Sequence, residues 1–302
     1  MLCSAQSLIR TVLLMVLSLG AGSSSAGPIR DWLSERQAQR TTQAQHAQEI
    51  AYGADPRQRF DLYRNPSAPP QAPVIFMVHG GGWRWGSKSE SGVVANKVAR
   101  WVAKGFVVIS TNYRLLPTPP LQQAKDVALA LATAQQQAQH WGADPRRFVL
   151  MGHSAGAHLI SLLNARPDLL PATTQAWLGS VVLDSAAFNV PAILQTPRHL
   201  PLYDAAFGQN PEDWVAASPL HQLHRAAPPM LAVCSSQRQE ACPQAHAFAA
   251  KAARLQMDCR VLEQPLSHRE INQQLGEDNA YTAAVEAFLR SLDPELARRL
   301  TP

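Results

Sequence analysis

The stretch FVLMGHSAGAHLISLLN, residues 148–164, joins a short apolar run to a longer apolar run through the motif Gly152-His153-Ser154-Ala155-Gly156. The pattern predicts a buried strand over 148–151, a sharp turn at Ser154 and a helix from Ala157 onward. Glycines two places before and after the serine give the turn room, because side chains there would clash. This is the context of a nucleophile elbow, in which the serine Oγ projects from the edge of a sheet.

Apolar runs of strand length alternate with longer amphipathic runs along most of the chain. Strands are predicted at 60–63, 74–78, 106–110, 148–151, 180–183, 230–234 and 260–263, and helices near 89–103, 121–141, 157–164, 243–255 and 279–292. Such alternation predicts an α/β fold, with a mostly parallel central sheet and helices on both of its faces.

A second motif, His79-Gly80-Gly81-Gly82-Trp83, follows the predicted strand 74–78. Acyl transfer builds negative charge on a carbonyl oxygen, and backbone N–H groups that approach closely can stabilise that oxyanion. Glycines permit this approach because they carry no side chain. We therefore expect this glycine loop to lie beside Ser154.

Together the two motifs resemble those of the α/β-hydrolase superfamily, in particular the hormone-sensitive-lipase-like and related carboxylesterases that carry an HGGG motif. The segments 112–115 (NYRL) and 144–148 (DPRRF) also resemble parts of that family, and the likeness covers roughly residues 51–292. The resemblance implies an α/β-hydrolase fold. It also implies an oxyanion hole formed by the backbone N–H groups of Gly81, Gly82 and Ala155.

A serine hydroxyl needs a base to remove its proton. Of the ten histidines, His268 stands just after the last predicted strand, where this family places its base, and it follows Ser154 in the chain. We expect His79 to shape the glycine loop, whereas His153 lies inside the elbow and His158 faces along the helix that follows.

The acid that orients the histidine departs from the family pattern. Relatives commonly carry an Asp about three residues after the strand at 230–234, but Gln237 stands there. Glu240, in the same loop, is the predicted acid, and Asp184 at the end of the preceding strand is the alternative. A bridge between Cys234 and Cys242 would hold Glu240 in a closed loop.

The first residues have the pattern of a secretory signal. Arg10 supplies a positive charge, residues 11–19 form an apolar core, and Ser24-Ser25-Ala26 permits cleavage after Ala26. We therefore predict a signal peptide at 1–26, a periplasmic or secreted mature protein, and no stable membrane span once the signal is removed. An uncleaved anchor is the alternative, although the run is too short to span a bilayer comfortably.

If the protein is exported, its cysteines can form disulfides, because disulfides persist in oxidising compartments. Three cysteines remain after the signal. A Cys234–Cys242 bridge with Cys259 free is predicted, and three buried free thiols are the alternative.

The rest of the chain divides into an N-terminal arm at 27–50, expected to be an exposed helix or a loose arm, and a hydrolase domain at 51–302. Within the domain, 188–224 is rich in proline and lacks a long period, so it is a possible cap insertion. Trp83 is a candidate substrate contact, with packing against the sheet as the alternative.

The predicted function is a serine carboxylesterase that cleaves small carboxylic esters through an acyl-enzyme. The alternatives are an amidase similar to the arylformamidases and a catalytically weak binding protein on the same fold. The net charge of +5 comes from scattered Lys and Arg, so nucleic acid is not an expected partner. No cluster has the spacing of metal ligands, and no cofactor is expected.

Overall fold

A computed structural model describes residues 46–301, in which eight strands form one sheet. The predicted signal peptide and most of the predicted arm lie outside these residues. The strands are β1 (His46–Ala51), β2 (Arg59–Tyr63), β3 (Ala72–Val78), β4 (Val107–Thr111), β5 (Ala143–His153), β6 (Gly179–Leu183), β7 (Met230–Ser235) and β8 (Cys259–Gln264).

The strand order is β1-β2-β4-β3-β5-β6-β7-β8. β1 pairs with β2 and β2 with β4 in antiparallel fashion, and every later pair is parallel. The predicted mostly parallel sheet is therefore confirmed. Because parallel strands end at the same edge, the residues that follow β3, β5, β6, β7 and β8 come together there.

Six helices pack on the two faces of this sheet. They are α1 (Ser91–Ala103), α2 (Pro120–Gln137), α3 (Ala155–Ala165), α8 (Ala241–Arg254), α10 (Ala280–Leu292) and α11 (Pro294–Leu300). Four short helices, α4 (Val190–Leu194), α5 (Pro201–Phe207), α6 (Pro211–Ala216) and α7 (Pro219–Gln222), lie in the predicted insertion, and α9 (His268–Gln273) follows β8.

Alternate residues of the central strands face two separate hydrophobic cores. Phe76 of β3 and Leu150 of β5 pack in the core that contains α2, α3 and α8. Ile75 and Val149, one position away, pack in the core that contains α1, α10 and α11. Side chains of a strand point alternately to opposite faces, so the unbroken apolar runs bury both faces of the sheet. Helices on both faces were predicted, and this is confirmed.

Two segments form a type of structure other than the one predicted for them. The end of the predicted arm forms β1, an edge strand that pairs with β2, rather than a helix or a loose segment. The segment 188–224, predicted to be irregular, contains α4 to α7, each of which has a proline in its first turn. Proline suits that position because its missing N–H would be unpaired there anyway. Within 46–301, no helix is both long and apolar enough to cross a bilayer.

Candidate active site

Ser154 lies on a sharp turn between β5 and α3, as the motif predicts. Its φ of 54° and ψ of −117° are uncommon for a residue with a side chain. Its backbone N–H donates to Leu183 O at 2.9 Å, which fixes the turn to the end of β6. A Cβ on Gly152 would lie 2.7 Å from the carbonyl of Gly156, and one on Gly156 would lie 2.3 Å from Val78 O. Both glycines are therefore required by close packing.

The glycine loop after β3 passes directly beside this serine. A Cβ on Gly80 would lie 3.1 Å from the Cβ of Ser154. Gly81, Gly82 and Trp83 all have positive φ, and a Cβ on Gly81 would lie 2.3 Å from Trp85 O. Within residues 46–301, the N–H groups of Gly81, Gly82 and Ala155 donate to no protein acceptor. All three predicted oxyanion donors are therefore available to a ligand.

His79 fixes the shape of this loop. It is fully buried, its Nδ1 lies 2.7 Å from Gly80 O, and its ring stacks on Tyr113 at a centroid distance of 4.5 Å. Burial lowers the pKa of His79 to about 4, so the ring is neutral at pH 7 and Nδ1–H can donate to the carbonyl. The structure thus gives His79 the role expected of it.

His268 begins α9 and is oriented by a carboxylate. Its Nδ1 lies 2.5 Å from Oδ2 of Asp184, which is fully buried at the end of β6. Oδ1 of Asp184 accepts the Ser235 N–H at 2.8 Å, and Arg238 Nη1 donates to Oδ2 at 2.8 Å. Burial raises the pKa of Asp184, but these hydrogen bonds outweigh burial and lower it to about 2. Asp184 is therefore an anion that holds Nδ1, which leaves Nε2 of His268 to exchange a proton.

The prediction of Glu240 as the acid is wrong. Glu240 is exposed at the N-terminus of α8, whereas Asp184, the alternative, contacts His268. The bend of the 235–241 loop explains the difference. Gln237 donates its side-chain amide to Pro265 O, and Arg238 turns inward toward Asp184. The acid comes from β6, which lies between β5 and β7 in the sheet.

His153, the second residue of the elbow motif, contacts His268 directly. Its Nε2 lies 2.9 Å from His268 O, and the two rings lie 4.4 Å apart between centroids. Burial, followed by the neighbouring His268, lowers the pKa of His153 to about 3. A neutral His153 can donate Nε2–H to that carbonyl and so fix the start of α9. The motif placed His153 in the elbow, but nothing local in the sequence indicated this contact.

Trp83 packs inside the protein, which is the alternative given for this residue. It is 3% exposed, and its ring packs edge-on against Phe207 of α5. Its Nε1–H donates to Nδ1 of His158 at 3.2 Å, and Nε2 of His158 lies 2.8 Å from Ala217 O. Trp83 and His158 therefore join the glycine loop, α3 and the insertion. Burial lowers the pKa of His158 to about 4, so this link is neutral at pH 7.

The predicted disulfide is present in the structure. Cys234 at the end of β7 is bonded to Cys242 in the first turn of α8, and Cys259 is free. Burial, with a smaller contribution from Asp258, raises the pKa of the Cys259 thiol to about 12. The hypothesis that the bridge holds Glu240 loses its basis, because Glu240 faces solvent. Nothing in the sequence indicated that the bridged loop carries Arg238 to the acid.

Three comparisons with known proteins place this geometry in context. The model of the BD-FAE family matches residues 60–249. Among curated proteins, the chain is 28% identical over 207 residues to esterase LipC of Mycobacterium tuberculosis, over 63% of this chain and 51% of LipC. It is 30% identical over 141 residues to kynurenine formamidase of Danio rerio, over 45% of this chain and 46% of that protein. The chain thus spans about half the length of these relatives.

Among solved structures, the apo form of Thermogutta terrifontis esterase 2 is similar, with a TM-score of 0.67 at 20% identity. The match covers 85% of this chain and 96% of that chain. A putative thioesterase from Silicibacter gives a TM-score of 0.66 at 21% identity, over 84% and 91% of the two chains. At these identities the likeness concerns the fold.

Proposed function

The chain belongs to the BD-FAE family and has the α/β-hydrolase fold, and from this premise we propose that it is a serine carboxylesterase. The observation that carries the proposal is the 2.5 Å hydrogen bond from His268 Nδ1 to buried Asp184, at the same sheet edge as Ser154. A serine on an elbow and an oriented histidine at the same sheet edge are the groups that nucleophilic acyl transfer needs.

In the proposed reaction, Ser154 Oγ attacks the ester carbonyl carbon while Nε2 of His268 takes the hydroxyl proton. The N–H groups of Gly81, Gly82 and Ala155 donate to the oxyanion of the tetrahedral intermediate. The intermediate collapses, the carbon–oxygen bond to the alcohol breaks, and His268 gives its proton to the leaving alcohol. His268 then takes a proton from water, which attacks the acyl carbon. The bond from that carbon to Ser154 Oγ breaks, His268 returns the proton to Oγ, and the carboxylic acid is released.

Asp184 keeps the imidazole in the tautomer that this reaction requires. Its anionic oxygen accepts Nδ1–H, so that Nε2 is unprotonated and can act as a base toward Ser154. The hydrogen bond also stabilises the imidazolium that forms during attack. Because the pKa of the Asp184 carboxyl group is low, Asp184 stays ionised throughout the physiological pH range.

Small esters are the proposed substrates. Esterase LipC and the formamidase are both similar to this chain, and both an ester and a formamide are cleaved by the same acyl transfer. The larger share of the chain that aligns with LipC favours an ester, and the formamidase relative supports an aryl formamide as the second candidate.

A substrate panel tests this proposal. Purified protein is assayed with p-nitrophenyl esters of increasing acyl length and with an aryl formamide, and Ser154→Ala is the control for background hydrolysis. We expect kcat/KM to be higher for a short-chain ester than for the formamide. A folded protein that hydrolyses neither would favour the binding-protein alternative, and a higher kcat/KM for the formamide would favour the amidase.

We further propose that the mature protein is periplasmic or secreted. The pattern of residues 1–26 and the Cys234–Cys242 bridge support export, because disulfides are rare in reducing compartments. Cell fractionation followed by N-terminal mass spectrometry tests this proposal. The expected mature N-terminus is Gly27. Protein found in the cytosol with an intact Met1 would contradict it.

A further inference from the structure

The Cys234–Cys242 bridge closes a loop, residues 235–241, beside Asp184 and His268. Both half-cystines are buried, one at the end of β7 and the other in the first turn of α8. Most of the loop faces solvent, since Ser236, Gln237 and residues 239–240 are exposed or partly exposed. Because both ends of the loop are fixed by buried cysteines, a side chain that the loop directs toward the sheet edge has little conformational freedom.

Arg238 is the side chain that the loop turns inward. Its Nη1 donates to Oδ2 of Asp184 at 2.8 Å and to the backbone O of Asp184 at 3.2 Å. The same nitrogen lies 3.1 Å from Nδ1 of His268. The Arg238 side chain is 25% exposed, whereas Asp184 is completely buried. The ion pair is therefore partly shielded from water, which strengthens it relative to a surface pair.

Arg238 and His268 share one oxygen of the acid. Ser235 N–H occupies Oδ1, while both the imidazole and the guanidinium approach Oδ2. The guanidinium contacts the backbone carbonyl of Asp184 as well, so it fixes the carboxylate relative to its own main chain. Asp184 has a φ of 53°, a conformation that needs such support in a residue with a side chain.

We propose that Arg238 is a positioning residue for the Asp184–His268 pair and that the Cys234–Cys242 bridge acts on the reaction by holding Arg238. This proposal rests on the proposed serine hydrolase function. Arg238 holds the carboxylate that orients the base and does not itself touch the reacting atoms.

Arg238 also reaches the base itself, since its Nη1 lies 3.1 Å from Nδ1 of His268. The charged and titratable groups that face His268 or its immediate partners are Asp184, Arg238, His153, Tyr203, Lys97 and, on its own helix, Arg269 and Glu270. Asp184 and Arg238 are the two among them that reach Nδ1.

Substitution of Arg238 tests the positioning role through the separate effects on kcat and KM. In Arg238→Gln, we expect kcat to fall about tenfold with little change in KM, because orientation of the base is weakened. Arg238→Lys should restore part of kcat, because lysine keeps the positive charge but not the planar guanidinium group.

The matched control is Arg260→Gln. Arg260 is an exposed arginine near the start of β8, the end of that strand opposite to His268, and it pairs with Asp258 at 2.8 Å. Its loss should leave kcat and KM unchanged. If Arg238→Gln also keeps the kcat of the parent protein, the positioning role is overturned.

A double-mutant cycle tests whether the bridge acts through Arg238. The Cys234→Ala/Cys242→Ala variant is made with Arg238 present and in the Arg238→Gln background. Loss of the bridge should lower kcat when Arg238 is present and should have little further effect in the Arg238→Gln background. If loss of the bridge lowers kcat by the same factor in both backgrounds, the coupling is overturned.

Reduction of the bridge gives a second measure of the same coupling, should the alanine variants fold poorly. The parent protein and Arg238→Gln, both with their cysteines intact, are treated with a phosphine, and kcat is compared before and after. Reduction should lower kcat in the parent and change it little in Arg238→Gln. The same loss in both proteins would again overturn the coupling.

Activity of the parent protein separates this proposal from the proposed function. Hydrolysis of a p-nitrophenyl ester by the parent protein, and its loss in Ser154→Ala, reports the serine hydrolase activity independently of Arg238. An inactive parent would overturn the proposed function. If the parent is active and Arg238→Gln has the same kcat as the Arg260→Gln control, only the positioning role is overturned.

Discussion

At the scale of single residues, the position of a carboxylate in the backbone decides whether it can orient His268. Asp184 and Glu240 are both carboxylates near the carboxyl edge of the sheet, but of the two only Asp184 contacts His268 in the described residues. The first is buried with three hydrogen-bond donors, and the second is exposed at a helix start. A carboxylate orients an imidazole when its own position is fixed, which burial and donors achieve for Asp184.

Substitution of the two carboxylates should therefore have unequal effects. Asp184→Asn should lower kcat by about 10⁴-fold, because an amide cannot hold the imidazole in the required tautomer. Glu240→Gln is the matched control and should leave kcat unchanged. Steady-state hydrolysis of one p-nitrophenyl ester measures both. A larger loss in Glu240→Gln than in Asp184→Asn would reverse our assignment.

The motif residues could be predicted from the sequence because their signals are local. Ser154 and the glycines around it need only a few neighbours to form the elbow, and His268 follows a recognisable strand. The partner of His268 depends on how the loop 235–241 bends, which local sequence does not specify. Arg238 had no local signal for the same reason, and its contact with Asp184 spans 54 residues of sequence.

At the scale of elements, the central strands and the edge strand β8 were predictable, whereas the edge strand β1 was not. β3 and the end of β5 are unbroken apolar runs buried on both faces. β1, with the sequence HAQEIA, is an edge strand with exposed polar residues, so its composition resembles that of a surface helix. α9 has six residues, too few to show a helical period, although the capping box of Ser267 and Glu270 marks its start.

The glycine loop gives a prediction at this scale. In Gly81→Ala, the new Cβ would lie 2.3 Å from the backbone O of Trp85, so the loop must move and its oxyanion donors with it. We expect kcat to fall by about 10² to 10³-fold, the effect of losing one such donor. The rate of ester hydrolysis measures this loss.

Gly142→Ala is the control for strain alone. Gly142 has a φ of 76°, and a Cβ there would meet nothing within 4 Å. This variant should lose about 1–2 kcal/mol of unfolding free energy and keep its kcat. Equal kcat in the two variants would contradict the role given to the loop.

At the scale of the whole molecule, three buried histidines connect the site to stability. Burial lowers the pKa of His79, His153 and His158 to between about 3 and 4, below the ordinary value of 6.5. Between these values the unfolded state binds more protons than the folded state. The free energy of unfolding is therefore fully retained above pH 6.5 and falls as the pH is lowered.

Acid should thus unfold the protein steeply. Each of the three histidines contributes a slope of about 1.4 kcal/mol per pH unit between about pH 6 and the folded-state pKa. His158→Gln should remove one such contribution while a side-chain N–H toward Ala217 O is retained. Urea unfolding between pH 4.5 and 7.5 measures the slope, and an unchanged slope in His158→Gln would contradict the neutral, buried state of that ring.

The central claim is that Ser154 is the nucleophile of a serine hydrolase, and covalent labelling tests it most directly. The protein is treated with a fluorophosphonate, and its intact mass and peptide map are then recorded. One adduct per chain, on the peptide that contains Ser154 and absent from Ser154→Ala, is the predicted result. A folded protein that takes no label, or a label that persists in Ser154→Ala, would contradict the account.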